Sequence, residues 1–262
     1  MKISHFDEQL VPNTSMESFD EQLWSRFTRS NIDDPITVLR KLRLIAPDSD
    51  GKEKATVAGV LMCSGNPHDW LPGAFIEAVN YRGKKRDANY QIDSRRITGP
   101  LDHQITGAVF FVGKNMKIGA IKRPGRIEIP QFSLRAVFEA VVNAAAHRDY
   151  SIHGSKIRLY MFEDRLELYS PGALPNTLTI ESLPLRQATR NELVTSLLAK
   201  CPVEEENKEF GRQFLMDKRG EGVPIILDES EKLSGTPPVY KLIDDTELML
   251  TIFAASPQPV DS

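Results

Sequence analysis

Glu139 and Asn143 lie one helical turn apart within residues 133–150, SLRAVFEAVVNAAAHRDY. A carboxylate only accepts hydrogen bonds and a carboxamide both donates and accepts, so the two offer complementary polar groups to whatever meets them together. At helical periodicity Glu139, Asn143, Ala146 and His147 gather on one face, opposite an apolar face of Leu134, Val137, Phe138, Val141, Val142 and Ala145. Ala136, Ala140, Ala144 and Ala146 keep the strip between them small, which leaves room for another group to approach. A merely solvated face would carry Lys and Glu throughout. The competing reading is an amphipathic core helix in which the Glu and the Asn have no joint role.

Two glycine-bearing segments accompany this face. Residues 170–175, SPGALP, form a rigid loop in which Gly172 lets backbone come close to a ligand or to another element. Residues 218–227, KRGEGVPIIL, place Gly220 and Gly222 before an apolar run that starts a helix, and exposed amides at such a start bind phosphate. A hydrolase built on His147 or His153 is disfavoured, because neither has a Ser or Cys nucleophile in a recognisable elbow.

These groups need elements to hold them. Ser133 suits the N-cap of the helix, its hydroxyl accepting one of the orphan amide bonds there. The helix stops around residues 147–150, and Gly154 marks the turn into a strand. Ile157, Leu159 and Met161 then share one face, Glu163 and Asp164 make a turn, and Leu166 and Leu168 continue in a partner strand, giving a β-hairpin packed on the helix. Upstream, residues 18–29 and 34–44 read as short helices and 55–62 as either helix or strand. Residues 74–83 and 90–96 read as strands, 101–116 as a helix interrupted late by Gly113, and 117–130 as a strand or extended connector. Downstream, residues 179–183 and 191–200 read as helices, 201–208 as an exposed acidic stretch, and 239–243 with 247–253 as an antiparallel pair around Asp244 and Asp245. The domain reading is an N-terminal arm with a small helical segment at 1–72, an α+β connecting subdomain at 73–130, an α/β domain at 131–255 and a disordered tail at 256–262.

The 262 residues, 40% hydrophobic and 26% charged, allow one large or two ordinary domains with ample core. No apolar run approaches the roughly 18 residues of a membrane span, and MKISHFDEQL lacks the apolar core of a signal peptide, so the expected compartment is the cytoplasm with no membrane partner. Cys63 and Cys201 fall in no CxxC or Cys/His cluster and are expected as reduced, partly buried thiols. The net charge of −3 argues against a chain that wraps nucleic acid with its whole surface. Arg82, Lys84, Lys85, Arg86, Arg95 and Arg96 make the densest positive stretch, either a patch that meets DNA phosphates or a solvated hairpin turn.

Taken together, EAVVNAAAHRDYS, FEDRLELYSPGALP, the dipeptide Arg190-Asn191 and RGEGVPIIL resemble one family, the AlbA-associated, RecG-C-terminal-like transcriptional regulators that carry an ATP-dependent DNA helicase-related label. The resemblance spans residues 6–253 and includes TVAGVLMCSGNP, AFIEAVNYRG and ITGPLDHQI. It implies a C-terminal domain of the GHKL type (histidine kinase, gyrase and MutL), a two-layer α/β sandwich of helices on a mixed sheet that binds ATP and Mg²⁺. By that comparison Glu139 and Asn143 match the N box, where the carboxylate polarises the attacking water and the amide oxygen holds Mg²⁺ on the triphosphate. Ser170 and Gly172 match the adenine-side glycine loop, and Gly220 and Gly222 the loop that faces the phosphates. His147 falls within the signature as a further nucleotide contact, and Arg148 with Asp149 reads as a helix-end ion pair.

Two departures accompany the resemblance. Ser170 stands where active GHKL enzymes carry the Asp that accepts from the adenine amino group, so Asp164 or a water is the expected substitute, and no glycine-rich phosphate loop exists beyond RGEGV. The function implied is a regulatory ATP-binding module with slow, Mg-dependent ATPase activity. The alternative is a non-enzymatic module for homodimerisation or DNA association. A motor helicase is not implied, since no GxxxxGK[ST] phosphate loop occurs. The AlbA-like DNA-binding domain that usually precedes this region in the family is not legible, and the chain reads as a shortened member or as part of a longer protein.

Overall fold

The computed structural model describes residues 5–28, 34–122, 126–175, 178–186, 188–203, 212–217 and 220–255. Most of the acidic stretch expected at 201–208, and all of the tail expected at 256–262, lie outside the described residues. The N-terminal segment holds α1 (Glu21–Ser25), α2 (Pro35–Lys41), a ribbon of β1 (Ile45–Pro47) with β2 (Glu53–Ala55), and α3 (Val57–Cys63). Residues 55–62 resolve mainly to helix: Thr56 caps α3 by accepting from the Gly59 amide at 3.0 Å, and every residue of α3 is buried, as in a helix sealed on all sides.

The chain continues through β3 (Ile76–Tyr81), β4 (Gln91–Ile97), α4 (Leu101–Asn115), the hairpin β5 (Ile118–Lys122) and β6 (Arg126–Pro130), and α5 (Leu134–His147). After α5 come β7 (Ile157–Met161), β8 (Arg165–Pro171), α6 (Glu192–Leu198), α7 (Gly222–Ser234), β9 (Val239–Ile243) and β10 (Glu247–Phe253). Six strands form one mixed sheet in the order β4-β3-β7-β8-β10-β9, with β3 and β7 parallel and the other neighbours antiparallel. Segments 73–130 and 131–255 therefore share a sheet, and one apolar core reaches from Val11 to Ile252.

Strand alternation makes this a two-layer α/β fold. Leu159, Met161, Leu166, Leu168, Leu250 and Ile252 point under the helices, while Val79, Tyr81, Tyr160 and Phe162 cluster separately on the other face. There the guanidinium groups of Arg86, Arg158 and Arg165 lie 4.7, 4.4 and 4.2 Å over the rings of Tyr160, Tyr169 and Phe162. The six cations of the positive stretch are all exposed, Arg82, Lys84, Lys85 and Arg86 in the β3–β4 connection and Arg95 and Arg96 toward the far end of β4.

Two local expectations need correction. Helix α4 runs unbroken through Gly113, since one glycine costs only about 1 kcal/mol relative to Ala and the other fourteen residues of a 15-residue helix absorb it. Residues 179–183 form turns and no helix. The Thr179 amide donates to Ser182 Oγ at 2.8 Å and the Ser182 amide to Thr179 Oγ1 at 3.3 Å, a local bonding pattern that competes with helix.

Candidate functional site

Helix α5 is fixed at both ends by side chains. At its start Ser133 Oγ accepts from the Ala136 amide at 3.3 Å, as expected of an N-cap. At its end two of the carbonyls that an α-helix leaves without partners, those of Ala145 and Ala146, receive side-chain donors, and the Ala144 carbonyl receives one beside its bond from the Arg148 amide. Ser170 Oγ donates to Ala144 O at 3.0 Å, Tyr150 Oη to Ala145 O at 2.8 Å and Asn191 Nδ2 to Ala146 O at 2.9 Å. Burial pushes the Tyr150 phenol up to about 12, so it remains a donor at neutral pH.

The expected Arg148–Asp149 ion pair does not form. Arg148 leaves the helix with ψ 141°, and successive side chains of extended backbone point apart. Asp149 pairs with Arg190, which also donates to Ala173 O. Arg148 turns inward, donates to Ser155 O at 2.5 Å and lies 4.6 Å over the Tyr150 ring, and burial lowers its pKa. Gly172 serves this junction: at φ +121°, a Cβ there would lie 2.8 Å from Asp149 Cβ and 2.9 Å from Arg190 Nη1. Of the two close approaches that the sequence allows at Gly172, the structure shows the one to another element.

Asn191 precedes α6, where an Asn would ordinarily cap its own helix. Its amide is committed to α5 instead, and Asp7 takes over the capping of α6. The buried Asp7 carboxylate accepts from the amides of Leu193 at 2.8 Å and Val194 at 3.1 Å. Burial raises its pKa against the lowering effect of those amides.

Between α5, the sheet, α6 and the start of α7 lies a cleft of about 690 Å³. That volume is within the roughly 300–1,000 Å³ typical of small-molecule sites. Glu139, Asn143, His147, Ser170, Gly172, Gly220 and Gly222 all line it, over a floor that includes Leu168, Leu248 and Leu250. Glu8, Lys41 and Arg43 line it too, a contribution from the N-terminal segment that no sequence motif announces. Asp164 does not line the cleft. It sits in the β7–β8 turn, 2.9 Å from Arg165 Nη1 and 3.8 Å from Lys84 Nζ, and so cannot replace the adenine-binding Asp. Ser170 does line the cleft, and its hydroxyl, donating its proton to Ala144 O, keeps lone pairs to accept with.

At the other end of α5's polar face, Glu139 is 4% exposed. Its Oε1 accepts from Arg212 Nε at 2.7 Å, and Arg212 Nη1 lies 3.0 Å from Asp217 Oδ2. Asn143 makes no side-chain hydrogen bond among the described residues. A Cβ at Gly222 would lie 2.9 Å from Asn143 Nδ2 and 3.3 Å from Glu139 Oε2, so the first residue of α7 rests directly on the pair. The helix start brings partial positive charge to that point.

Burial lowers the His147 pKa to about 4, with the Arg190 charge adding to the effect, so the imidazole is neutral at physiological pH. Among the described residues its buried Nδ1 has no hydrogen-bond partner. Because the folded pKa is depressed, the stabilising contribution is complete above the unfolded value of 6.5 and is lost as pH falls toward 4. Asp7, whose carboxyl pKa is raised by burial, acts in the opposite direction. We expect the His147 term to remove up to about 2 kcal/mol of stability between pH 7 and pH 5, and His147→Asn to flatten that slope. Urea titrations at the two pH values check this, and equal slopes in both proteins would refute it.

The family model described as "Putative ATP-dependent DNA helicase recG C-terminal" matches residues 154–252, which carry β7, β8, β9 and nearly all of β10 together with Ser170, Gly172, Gly220 and Gly222. Helix α5, with Glu139 and Asn143, precedes the matched region. A search of curated proteins finds no match. Among solved structures, the DIP2311 protein from Corynebacterium diphtheriae superposes with a TM-score of 0.70 at 18% identity, covering 97% of this chain and 48% of that one. This chain therefore spans about half the length of that protein, and the likeness is one of fold. Over residues 154–252 the chain is similar to the recG C-terminal family, and over nearly its whole length it shares the DIP2311 architecture.

Proposed function

We propose that the cleft binds ATP with Mg²⁺ and hydrolyses it slowly, as a regulatory module. The observation that carries this reading is the convergence in one cleft of Glu139 and Asn143 from α5, Ser170 and Gly172 from the end of β8, and Gly220 and Gly222 from the start of α7. In this reading Ser170 accepts from the adenine amino group above the apolar floor, and amides at the α7 start receive phosphate oxygens. The Asn143 amide oxygen holds Mg²⁺, and Glu139 takes a proton from the attacking water. Mg²⁺, when bound, polarises the phosphoryl oxygens and neutralises charge.

The fit has a stereochemical basis. A side chain at position 222 would collide with Asn143 and Glu139, and glycine lets the start of α7 come against the pair without that overlap. Thermal unfolding with millimolar Mg-ATP tests the proposal. A ligand selective for the native state adds about 2.7 kcal/mol at 100 times its Kd, so the wild type should shift upward by several degrees. Asn143→Ala should lose most of the Mg²⁺-dependent part of the shift. A folded wild type with no shift would sink the proposal and leave the non-enzymatic module, for dimerisation or DNA association, in its place.

A further inference from the structure

Resting on the hydrolytic reading above, we propose that Arg212 is a positioning residue that orients the base Glu139 and is itself locked by Asp217. A carboxylate that is 4% exposed needs a partner to remain charged at low cost. Arg212, whose side chain is 11% exposed, supplies that partner. Arginine often grips a carboxylate with two parallel bonds. Here the grip is divided: Nε goes to Glu139 Oε1 at 2.7 Å, and Nη1 goes to Asp217 Oδ2 at 3.0 Å. Glu139 Oε2 therefore has no hydrogen-bond donor among the described residues, and it lies on the side of the cleft shared with Asn143 and Gly222.

A base with one oxygen anchored and the other free, its anchor held by a third group, has the arrangement that directs proton transfer along one line. In that step Oε2 takes one proton from water as the water oxygen bonds to the γ-phosphorus. The bond to the β-bridging oxygen breaks, and its electron pair leaves with ADP. The segment that delivers Arg212 is held in place. The Val203 amide donates to Gln213 O and the Leu215 amide to Cys201 O, both at 2.9 Å, and Leu215 is buried. These bonds tie residues 213–215 to the chain just past α6, so the guanidinium arrives from backbone that is already paired.

Steady-state Mg-ATP hydrolysis and fluorescent-nucleotide binding on the wild type, Glu139→Gln, Arg212→Ala and Arg212→Lys test the inference. Arg212→Ala should lower kcat by about 100-fold, the scale of a misplaced reacting group, with KM and Kd within about threefold. Arg212→Lys should recover at least about a tenth of wild-type kcat by keeping the charge. If Glu139→Gln stops turnover while Arg212→Ala leaves kcat unchanged, Arg212 has no such role and the base assignment stands. An equal loss in Kd and kcat for Arg212→Ala also overturns the inference. Turnover that survives Glu139→Gln, or a wild type without turnover, removes the hydrolytic reading and this one with it. Should Arg212→Ala fail to fold, Asp217→Asn serves instead: a roughly tenfold lower kcat at unchanged KM is expected, and an unchanged kcat refutes the role.

Discussion

Glu139→Gln is expected to lower Mg-ATP turnover by about 100- to 10,000-fold, the range that a positioned general base contributes, while nucleotide affinity moves by less than about threefold. Glutamine keeps the length of the side chain and an oxygen for Arg212 Nε, now at 2.7 Å from the carboxylate, but it cannot take up a proton at neutral pH. The predicted signature is therefore a loss in kcat at preserved binding, as for an interaction made only in the transition state. Single-turnover hydrolysis beside equilibrium binding measures both quantities. A variant that still hydrolyses at the wild-type rate shows that Glu139 is not the base, however well placed it is in the cleft.

The largest effect on stability is expected from Gly172→Ala, at about 2–4 kcal/mol of destabilisation. Two costs combine. At φ +121° an L side chain is strained whatever space surrounds it, and the new Cβ would meet Asp149 Cβ at 2.8 Å and the Asp149 amide nitrogen at 3.2 Å. Neither of those atoms is the far end of a flexible chain, so β8 must move away from the end of α5 and loosen the contact between Arg190 and Asp149. For a chain of this size the loss corresponds to a fall in Tm of roughly 5–15 °C. An unchanged Tm would mean that the junction yields more easily than its packing indicates.

The pattern of α5 was legible in the sequence because its information is local. A 3.6-residue period, a Ser before the first turn and a Glu and an Asn one turn apart define its length, its cap and its polar face within eighteen residues. The β7–β8 hairpin and the β9–β10 pair were legible for the same reason, each through alternation around a short turn. The partners of the site were not. Arg212 meets Glu139 across 73 residues, Arg190 meets Asp149 across 41, and Asp7 reaches the start of α6 across 186. No periodicity encodes such pairs. The expectation that Asp164 joins the site was not met for a similar reason: it is six residues from Ser170 in sequence, but it lies in the turn at the opposite end of β8, outside the cleft. Arg148 and Asp149, adjacent in the chain, diverge because the helix ends at His147 and the backbone leaves helical conformation at Arg148.

The cap that Asp7 places on α6 also bears on the order in which the molecule can be assembled. A helix of seven residues is too short to persist alone, and the bonds that complete its first turn come from near the beginning of the chain. Closing so long a loop costs entropy before the contact returns any. During synthesis Asp7 leaves the ribosome well before Leu193 is made, and it stays without these partners until most of the sheet's strands exist. The wall of the cleft is thus complete only when two distant parts of the polypeptide have met.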